Sequence, residues 1–582
     1  MKASDYIARF LRERGVTCVF EMAGGMITHL LDSIQQDGVR QTEAGLDGAV
    51  RIVSVHHEQT AAFAAEAAGR ITGVPGVAFA TSGPGATNLL TGIGSCYFDS
   101  TPAVFITGQV NRHEQKGDRP IRQLGFQETD IVTMAKPITK AAWMVEDAHL
   151  LPKMLNDAFA LAVSGRPGPV LLDIPLDVQR VDITPPQSHS PAAPAGPAVS
   201  ASQLDTLFEA MARAERPLLL IGGGIRSARV ADELRAFVQT VGIPAVNSLM
   251  AVDALPYDDP LRVGLHGSYG NRWANHAIGR SDFLLVLGSR LDIRQTGSEA
   301  DAFKGERVVY HVDVEPGEIN NRVVGCEAIV ADLPDFFEAA LPAARARQWP
   351  DRAEWLESIN AMRREWPDTA ELPDIEGINP NVLMHRLSAH SKAAGAYVID
   401  VGQHQMWASQ SVEVGADQRF LLSGGMGSMG FALPAAIGAA AVDPRPVVLI
   451  AGDGGFQTNI QELQTVARYG LPLKMVIVNN QCHGMVRQFQ QSYFHERYQS
   501  TLWGYSAPDF ARVAEGYGIA AATVSREDDL DAALAEMWAD PNSPALLQVM
   551  IDTYANAYPK LAFGLPLTEM EPLAKPLEME GT

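Results

Sequence analysis

Short apolar runs recur along the whole chain and alternate with segments of helical character. Three of them are VAFAT (77–81), PLLLIG (217–222) and PVVLIAGDG (446–454). Runs that are apolar at every position predict strands buried on both faces, as in parallel sheets covered by helices. The alternation therefore predicts an α/β fold of three doubly wound parallel-sheet domains, with ligands at the carboxyl ends of the strands.

Two boundaries divide the 582 residues into three blocks. The segment DITPPQSHSPAAPAGPAVSA (182–201) holds five prolines among small residues, which excludes a helix or a central strand and predicts a linker. A second boundary follows the charged stretch 345–373, because a new α/β pattern begins at Pro380. We expect domains at 1–183, 202–345 and 374–560, a proline-rich linker at 184–201 and a tail at 561–582.

Charge and cysteine usage narrow the classes of function. The chain has 46 Lys and Arg against 68 Asp and Glu, and a net charge of −22 disfavours a general binder of nucleic acid or anionic lipid. Its four cysteines lack CxxC spacing, so neither a disulfide framework nor a zinc site is expected. A reducing cytoplasm fits best. No apolar run is long enough for a membrane span, and the N-terminal segment predicts a folded helix rather than a secretion signal.

Polar residues follow two neighbouring strands of the third block. Asp453 lies in GDGG (452–455) after one strand, and Asn480 ends the next, with 24 residues between GDG and NN. At one sheet edge their oxygens can share a hard cation, for which Mg²⁺ is the expected ion. The glycines and a helix expected near Thr458 favour an anion, so a diphosphate that bridges the metal is the predicted ligand. For GDGG alone, a plain tight turn is the alternative.

At this point the chain resembles the thiamine diphosphate enzymes, and among them the acetohydroxyacid (acetolactate) synthase family. The resemblance covers nearly the whole chain. It rests on VHHEQTAAFAAEAAGR (55–70), ATSGPGATNLLTGI (80–93), DVGQHQMWASQ (400–410), SGGMGSMGFALPAAIGA (423–439), GDGGFQTNIQEL (452–463) and NNQCHGMVRQFQ (479–490). It implies thiamine diphosphate, Mg²⁺ and FAD as cofactors.

The resemblance also implies roles for individual residues. Glu58 matches the glutamate that bonds the aminopyrimidine ring of thiamine diphosphate and promotes removal of the proton from thiazolium C2; a solvated helix cap is the alternative. Met429 matches the apolar residue that wedges the cofactor into a V shape; core filler is the alternative. The implied cofactor-binding residues of the third block are Val401, Gly402, Gln403, His404, Gly427, Met429, Gly454 and Gly455, and the implied metal ligands are Asp453, Asn480 and the backbone carbonyl of Cys482.

Substrate and flavin contacts follow from the same resemblance. The backbone N–H of Gly25 and the side-chain amide of Gln127 match positions that stabilise oxyanions at the substrate carbonyl, and Phe126 would line that pocket. In the middle block, the implied FAD contacts are His266, Arg290 and Arg294, with Asp313 near the ribose. This flavin is mostly structural in the family and accepts electrons in related pyruvate oxidases, so both roles stay open.

The implied activity is that of a carboligase. It would decarboxylate pyruvate and transfer the resulting two-carbon unit to a ketone acceptor. Glu58 and Asp453 lie on different blocks, and the family places its cofactor across a dimer interface, so a homodimer or homotetramer is implied. A flavin-dependent pyruvate oxidase, a simple 2-keto acid decarboxylase and a non-enzymatic flavoprotein are the alternatives.

Three departures from the family concern the acceptor. Asn111 and Gln127 are 16 residues apart, farther than in the family, and the extra segment RHEQKGDRPIR (112–122) is locally basic. Phe489 stands where members that prefer 2-ketobutyrate have Trp, and the tail 563–576 differs as well. These departures favour pyruvate, giving 2-acetolactate, or a nucleotide-linked ketosugar, giving a branched-chain sugar. A solvated loop is the alternative for 112–122.

Overall fold

The computed structural model describes residues 1–185 and 199–578 and contains three six-stranded sheets, in each of which every paired strand is parallel. The predicted α/β fold of three parallel-sheet domains is therefore confirmed. Most of the linker predicted at 184–201 lies outside the described residues, and the first helix after it begins at Ala201.

The N-terminal sheet takes its strands from the first block. They are β1 (Cys18–Glu21), β2 (Arg51–Ser54), β3 (Gly76–Ala80), β4 (Ala103–Gln109), β5 (Ala141–Met144) and β6 (Pro169–Pro175). Their order is β2-β1-β3-β4-β6-β5. The helices are α1 (Ala3–Glu13), α2 (Thr28–Glu43), α3 (Glu58–Thr72), α4 (Pro84–Asn88), α5 (Leu90–Phe98), α6 (Ile131–Ala135), α7 (Leu151–Val163) and α8 (Leu176–Gln179).

The middle sheet is built the same way in the second block. Its strands are β7 (Pro217–Ile221), β8 (Ala245–Asn247), β9 (Arg262–Leu265), β10 (Phe283–Leu287), β11 (Val308–Asp313) and β12 (Glu327–Val330). Their order is β12-β11-β10-β7-β8-β9. The helices are α9 (Ala201–Arg213), α10 (Gly224–Ser227), α11 (Ala231–Val241), α12 (Arg272–Arg280), α13 (Ile293–Thr296), α14 (Ala300–Lys304), α15 (Leu333–Arg345) and α16 (Ala353–Glu365).

The C-terminal sheet has the same strand order as the N-terminal one. Its strands are β13 (Ala396–Ile399), β14 (Arg419–Leu422), β15 (Val447–Gly452), β16 (Leu473–Asn479), β17 (Ala520–Val524) and β18 (Ala545–Met550). Their order is β14-β13-β15-β16-β18-β17. The helices are α17 (Pro380–His390), α18 (Gln403–Ser411), α19 (Ala432–Val442), α20 (Asp453–Gln457), α21 (Leu463–Tyr469), α22 (Gly484–Tyr493), α23 (Phe510–Gly516) and α24 (Leu530–Met537).

Short 3₁₀ helices and a small hairpin complete the fold. The 3₁₀ helices are Gly25–Ile27, Arg112–Glu114, Lys136–Ile138, Ala148–Leu150, Leu249–Ala251, Asp368–Ala370, Ile460–Glu462 and Glu527–Asp529. Strands β19 (Lys560–Leu561) and β20 (Met570–Glu571) form an antiparallel pair in the tail. Because the backbone carbonyls of β20 accept hydrogen bonds from Arg272, the tail is fastened to the middle domain.

Helices α3 and α19 join the N-terminal and C-terminal domains. Both are rich in alanine, and their side chains lie in one hydrophobic core. A Cβ on Gly438 of α19 would approach the carbonyl oxygen of Ala64 to 2.1 Å, so the helices touch backbone to backbone at this glycine. Small residues allow this approach, and the close contact makes the two domains one packed unit.

Two further findings bear on the setting of the protein. No helix in residues 1–185 and 199–578 is long and apolar enough to span a membrane. All four cysteines are buried free thiols.

Candidate active site

The carboxyl edge of the C-terminal sheet brings the GDG and NN motifs together. Strands β15 and β16 are hydrogen-bonded parallel neighbours. Asp453 follows the first and Asn480 the second, so both residues lie at adjacent strand ends, as their spacing predicts. The helix expected near Thr458 begins earlier, at Asp453. The prediction missed this start because the glycines Gly454 and Gly455 adopt helical backbone in its first turn.

Asp453 carries a buried oxygen with no partner. The residue is 2% exposed; its Oδ1 accepts the N–H of Gly454 at 3.0 Å, and Oδ2 makes no hydrogen bond within the described residues. Burial raises the pKa of Asp453 to about 6, because the charged form loses its water. A cation beside Oδ2 would compensate that loss. Nowhere in the described ranges do three His, Cys, Asp or Glu side chains form a metal-binding group, so a cation here would also need amide or carbonyl oxygens.

The side chain of Gln403 orients Asn480. Asn480 Nδ2 donates to Gln403 Oε1 at 3.2 Å, and Gln403 Nε2 donates in turn to Gln488 Oε1 at 3.0 Å and to the carbonyl of Ala555 at 2.9 Å. This chain fixes which end of the Asn480 amide is the oxygen. One carboxylate, one amide oxygen and nearby carbonyls form the hard oxygen donor set that suits Mg²⁺.

The thiol of Cys482 is occupied by a backbone carbonyl. Its Sγ lies 3.4 Å from the carbonyl oxygen of Thr553, and burial raises the pKa of the thiol to about 11. A thiol that stays protonated is a poor ligand for a hard cation. The backbone carbonyl is then the group of Cys482 that remains for a metal.

His404 is neutral, and its tautomer follows from one hydrogen bond. Its Nε2 accepts the N–H of Gly452 at 3.2 Å, so the ring proton is on Nδ1. Burial lowers the pKa of His404 to about 3. The ring packs against Gly402 and Gly452, where an added Cβ would come within 2.6 Å and 2.9 Å of ring atoms. The side chain therefore offers one N–H beside the GDGG turn, next to Val401 and Gln403 of the same loop.

The glycine-rich segment 423–431 carries Met429 to the same place. Asp400 accepts the amides of Gly430 at 3.0 Å and Ala432 at 2.9 Å, which fastens the end of the segment to β13. Met429 is 40% exposed, and its Cε lies 3.4 Å from the position of a Cβ on Gly454. This exposure is atypical of core filler. Gly427, with φ +66°, needs a left-handed conformation that glycine adopts freely.

Two side chains near Asp453 were missed by sequence reasoning. His483 Nδ1 lies 2.7 Å from the Cβ position of Gly454, and its ring packs edge-on against Tyr505 with centroids 4.4 Å apart. Burial and the negative charge of Asp453 raise the pKa of Tyr505. Tyr505 lies more than twenty residues beyond the NN motif, so no spacing in the sequence signals its approach.

Glu58 lies at the corresponding edge of the N-terminal sheet and is the first residue of α3. The cap is not Glu58, because the Nδ1 of His57 accepts the N–H of Gln59 at 3.1 Å. Glu58 is 7% exposed, and its Oε2 accepts a hydrogen bond from Asn88 Nδ2 at 2.9 Å. Asn88 was also missed, although it lies in the GPGATN motif.

Gly25 and Gln127 flank the same edge. Gly25 opens a 3₁₀ helix after β1, and nothing lies within 4 Å of the position of a Cβ on it, so its backbone faces open space. Gln127 has φ +66° and packs against Gly83, whose turn leads into the helix that carries Asn88. Phe126 is 80% exposed.

The chain thus holds two half-sites. The N-terminal half-site comprises Gly25, Glu58, Asn88 and Gln127, and the C-terminal half-site comprises His404, Met429, Asp453, Asn480 and Cys482. In the described residues no hydrogen bond joins Glu58 to the C-terminal half-site; the nearby contact is between Gln59 Oε1 and Asn459 Nδ2 at 3.2 Å. Within the described residues of one chain, no such bond closes the two half-sites on each other.

A separate cavity of about 790 Å³ lies where the three domains meet. The residues predicted for a flavin, His266, Arg290, Arg294 and Asp313, all line it. Its volume is in the range of pockets that enclose a cofactor. The structure therefore brings these four residues to one cavity, as the resemblance described in the sequence analysis implies.

The polar groups of this cavity have spare hydrogen-bonding capacity. His266 is buried, burial lowers its pKa to about 4, and neither ring nitrogen has a partner in the described part of the chain. Among the residues that the structure describes, Arg290 has only a long ion pair, with Asp292 at 3.6 Å. Burial raises the pKa of Asp313 to about 6. Guanidinium groups beside a neutral imidazole suit an anionic nucleotide.

Three family models match the chain in succession. They are the thiamine pyrophosphate enzyme N-terminal TPP binding domain over residues 1–134, the central domain over residues 204–340 and the C-terminal TPP binding domain over residues 400–549. Each match covers strands of a different one of the three sheets.

Curated relatives match over almost the full length. The chain is 37% identical to the acetolactate synthase isozyme 2 large subunit of Escherichia coli (strain K12), over 98% of this chain and 99% of that protein. It is 35% identical to the acetolactate synthase large subunit of Corynebacterium glutamicum, over 97% and 89%. It is also 35% identical to the chloroplastic acetolactate synthase 2 of Nicotiana tabacum, over 97% and 84%.

Proposed function

The chain belongs to the acetolactate synthase large-subunit family of thiamine diphosphate enzymes, and we propose that it joins two molecules of pyruvate to give 2-acetolactate and CO₂. The single observation that carries this proposal is the buried, unpartnered Oδ2 of Asp453 beside the oriented amide of Asn480, within a domain that binds thiamine diphosphate. The recognition of the family from the sequence is confirmed.

The donor set of the C-terminal half-site fits Mg²⁺ with a diphosphate. Asp453, Asn480 and the Cys482 carbonyl would hold the metal, and the Nδ1–H of His404 with the amides of Gly454 and Gly455 would hold phosphate oxygens. Met429 would press on the bound cofactor. When bound, thiamine diphosphate supplies a nucleophilic carbon that adds to ketones and an electron sink that permits loss of CO₂.

The N-terminal half-site would perform the proton chemistry. Glu58, buried and hydrogen-bonded by Asn88, would exchange a proton with a ring nitrogen of the aminopyrimidine. The N–H of Gly25 and the amide of Gln127 donate to the substrate oxygen as it gains negative charge. Neither donor makes a hydrogen bond to another described residue, so both remain available to a substrate.

The interdomain cavity would hold FAD. Its volume, the unpartnered nitrogens of His266 and the lightly paired Arg290 fit an anionic flavin nucleotide, with Arg294 as a further contact and Asp313 near the ribose. We propose a structural flavin, because the relatives named above are acetolactate synthases and not oxidases.

The active form would be a homodimer that pairs each N-terminal half-site with the C-terminal half-site of a second copy. The support is the absence of a hydrogen bond between Glu58 and the C-terminal half-site in the described chain, together with exposed apolar residues on both edges. Phe126 is 80% exposed on one, and Met429 is 40% exposed on the other.

One observation favours a second acceptor, an anionic ketone such as a nucleotide-linked ketosugar. The loop 112–122 is fastened beside Gln127, because Glu128 accepts the amides of Lys116 at 2.6 Å and Leu124 at 2.7 Å. The side chains of Lys116 and Arg122 have no hydrogen bond or ion pair with any described residue. Arg112, in contrast, is bound to Asp177 at 2.8 Å. Two free cations beside the substrate edge suit a phosphate.

The test uses purified protein with pyruvate, Mg²⁺, thiamine diphosphate and FAD. Mass spectrometry of the products, with and without a panel of ketone acceptors, is expected to find 2-acetolactate as the product from pyruvate alone. Consumption of O₂ in proportion to pyruvate would instead indicate the oxidase. Release of CO₂ with no new carbon–carbon bond would indicate a simple decarboxylase.

A further inference from the structure

The segment that carries Met429 is held at its beginning by the N-terminal domain. Asp99, at the end of α5, accepts the amide of Gly425 on Oδ1 at 2.6 Å and the amide of Gly424 on Oδ2 at 3.0 Å. Both glycines belong to the segment 423–431, directly after β14. A carboxylate that accepts two successive amides fixes both the position and the orientation of the backbone.

Arg70 of α3 completes this attachment. Its Nη1 donates to the carbonyl of Leu422 at 2.6 Å, and its Nη2 donates to Asp99 Oδ2 at 2.9 Å. Its Nε donates to Thr101 at 3.0 Å, and Glu66 accepts from Nη2 as well. The pair Arg70–Asp99 therefore grips three consecutive peptide groups of another domain.

The attachment continues into the middle domain. Arg419, at the start of β14, donates to the carbonyl of Arg70 at 2.8 Å and to Asp253 Oδ2 at 2.9 Å. Asp253 also pairs with Arg226 at 3.2 Å. Buried charges from all three domains thus meet behind the segment 423–431.

The same residues form a wall of the interdomain cavity. Arg70, Asp99, Arg226 and Arg419 line it, together with 423–427. The segment therefore has the cavity on one side of its beginning and Met429 of the C-terminal half-site near its end. Its glycines, 424, 425, 427 and 430, give it little stiffness of its own.

We propose that Asp99, braced by Arg70, is a positioning residue that fixes the segment 423–431 and thereby couples occupancy of the interdomain cavity to binding of thiamine diphosphate. The inference rests on the proposed function, which puts FAD in the cavity and Met429 against the thiamine cofactor. A ligand in the cavity orders the Asp99 attachment, and the ordered segment presents Met429 in the conformation that the second cofactor needs. Such coupling is reciprocal.

The test measures the dissociation constant of thiamine diphosphate with Mg²⁺ for flavin-loaded and flavin-depleted protein. In the wild type, FAD is expected to lower this constant by about fivefold or more, and thiamine diphosphate is expected to tighten FAD by the same factor. In Asp99→Asn, one oxygen is replaced by an NH₂ group that faces a backbone N–H, and the factor is expected to fall towards 1 while both cofactors still bind.

Glu66→Gln is the matched control. Glu66 is fully buried and bonds Arg70, but among the described residues it makes no hydrogen bond with 423–431, so the coupling factor is expected to stay at the wild-type value. Equal loss in both variants would show a general packing effect and overturn the proposal, as would an unchanged factor in Asp99→Asn.

A second variant approaches the attachment from the other domain. A Cβ on Gly425 would come within 2.7 Å of Phe98 Cβ and 3.0 Å of Asp99 Oδ1, so Gly425→Ala is expected to reduce the coupling factor even if Asp99→Asn does not fold. Failure of the wild type to bind thiamine diphosphate would overturn the proposed function and this inference together. Binding of both cofactors with a factor of 1 in the wild type would overturn this inference alone.

Discussion

The N-terminal and C-terminal domains have the same strand order and different chemistry. In both, the third strand along the chain lies in the interior of the sheet, and polar residues gather at the carboxyl edge. The N-terminal edge presents Glu58, a carboxylate with a neutral amide partner, Asn88. The C-terminal edge presents Asp453, a carboxylate whose Oδ2 has no hydrogen-bond partner among the described residues. In the proposed function, this shared architecture supports proton exchange in one domain and ion binding in the other, because the difference lies in the residues after the strands.

The helices that follow the second strand of these two sheets, α3 and α19, also begin differently. Helix α3 begins with Glu58 itself, whereas α19 begins after a segment that Asp400 holds by its amides. The N-terminal domain therefore aims a side chain from the helix start. The C-terminal domain fixes a glycine-rich segment at the helix start, and Met429 of that segment is the residue proposed to contact the cofactor.

The largest effect is expected from a substitution at the proposed proton-exchange site. Glu58→Gln keeps the shape of the side chain and removes its ionisable group, so exchange of the C2 proton of thiamine diphosphate should slow by about 10²–10⁴-fold. Binding of the cofactor should change little, because the C-terminal half-site is intact. NMR measurement of hydrogen–deuterium exchange checks the rate. Near-normal exchange would remove Glu58 from this role.

The next largest effect is expected from a substitution at the proposed ion site. Asp453→Ala removes a charged ligand of the proposed Mg²⁺, so thiamine diphosphate affinity should fall by about a hundredfold or more, and excess Mg²⁺ should restore little of it. Fluorescence titration after chelation and dialysis measures the affinity. Asp417→Ala, at an exposed aspartate of the same domain, serves as the control. Unchanged affinity in Asp453→Ala would contradict the assignment of the ion site.

A smaller effect concerns a loop that follows the fourth strand of the N-terminal sheet. Lys116→Ala with Arg122→Ala should weaken use of a phosphorylated ketone acceptor about tenfold while pyruvate consumption stays unchanged, since each of two partly exposed ion pairs contributes up to about 1 kcal/mol. Raised salt should mimic the double substitution. Arg112→Ala should not, because Asp177 already holds that side chain. If neither substitution nor salt discriminates between acceptors, the loop is a solvated surface and pyruvate remains the acceptor.

A last effect concerns stability rather than activity and distinguishes the interiors of the two sheets. In the N-terminal sheet, Thr107 and Gln109 donate to buried Asp173 at 2.7 Å and 2.9 Å, and burial raises the pKa of Asp173 to about 7. In the C-terminal sheet, the corresponding pair is neutral: Asn479 donates to Gln548 at 3.4 Å. A carboxyl whose folded pKa lies above its unfolded value stabilises the fold at low pH.

The contribution of Asp173 is therefore complete below about pH 4 and is lost as pH rises through about 7, a change of about 2–4 kcal/mol. Asp173→Asn should flatten the dependence of the melting temperature on pH over that interval. Gln548→Glu should steepen it, since it creates the same situation in the other sheet. Melting curves that stay parallel to the wild type in both variants would contradict this explanation.

Sequence patterns predicted the parts of this molecule that depend on local order. The strands were predictable because apolar runs of that length have one stable environment, and the neighbouring positions of Asp453 and Asn480 followed from two successive parallel strands. The start of α20 could not be predicted, because glycine has no helical preference that a sequence pattern can show.

Contacts between distant segments could not be predicted in the same way. The approach of Tyr505 to Asp453 and the hold of Asp99 on Gly425 arise from packing of separate elements, and neither residue lies in a motif of its own. The basic residues of 112–122 look equivalent in sequence. Arg112 nevertheless forms an ion pair with Asp177, which belongs to a helix 65 residues away. Predicting which charges remain free requires the tertiary structure.

The central claim is that the two half-sites act together across two copies of the chain. The most direct measurement mixes Glu58→Gln and Asp453→Ala protein, exchanges their subunits and assays acetolactate formation. Each variant alone should be inactive, whereas a mixed dimer contains one site with both native residues, so about a quarter of wild-type activity should return in a statistical mixture. If the mixture stays as inactive as its components while mixed dimers form, Glu58 and Asp453 of the same chain serve one site, and the account is wrong.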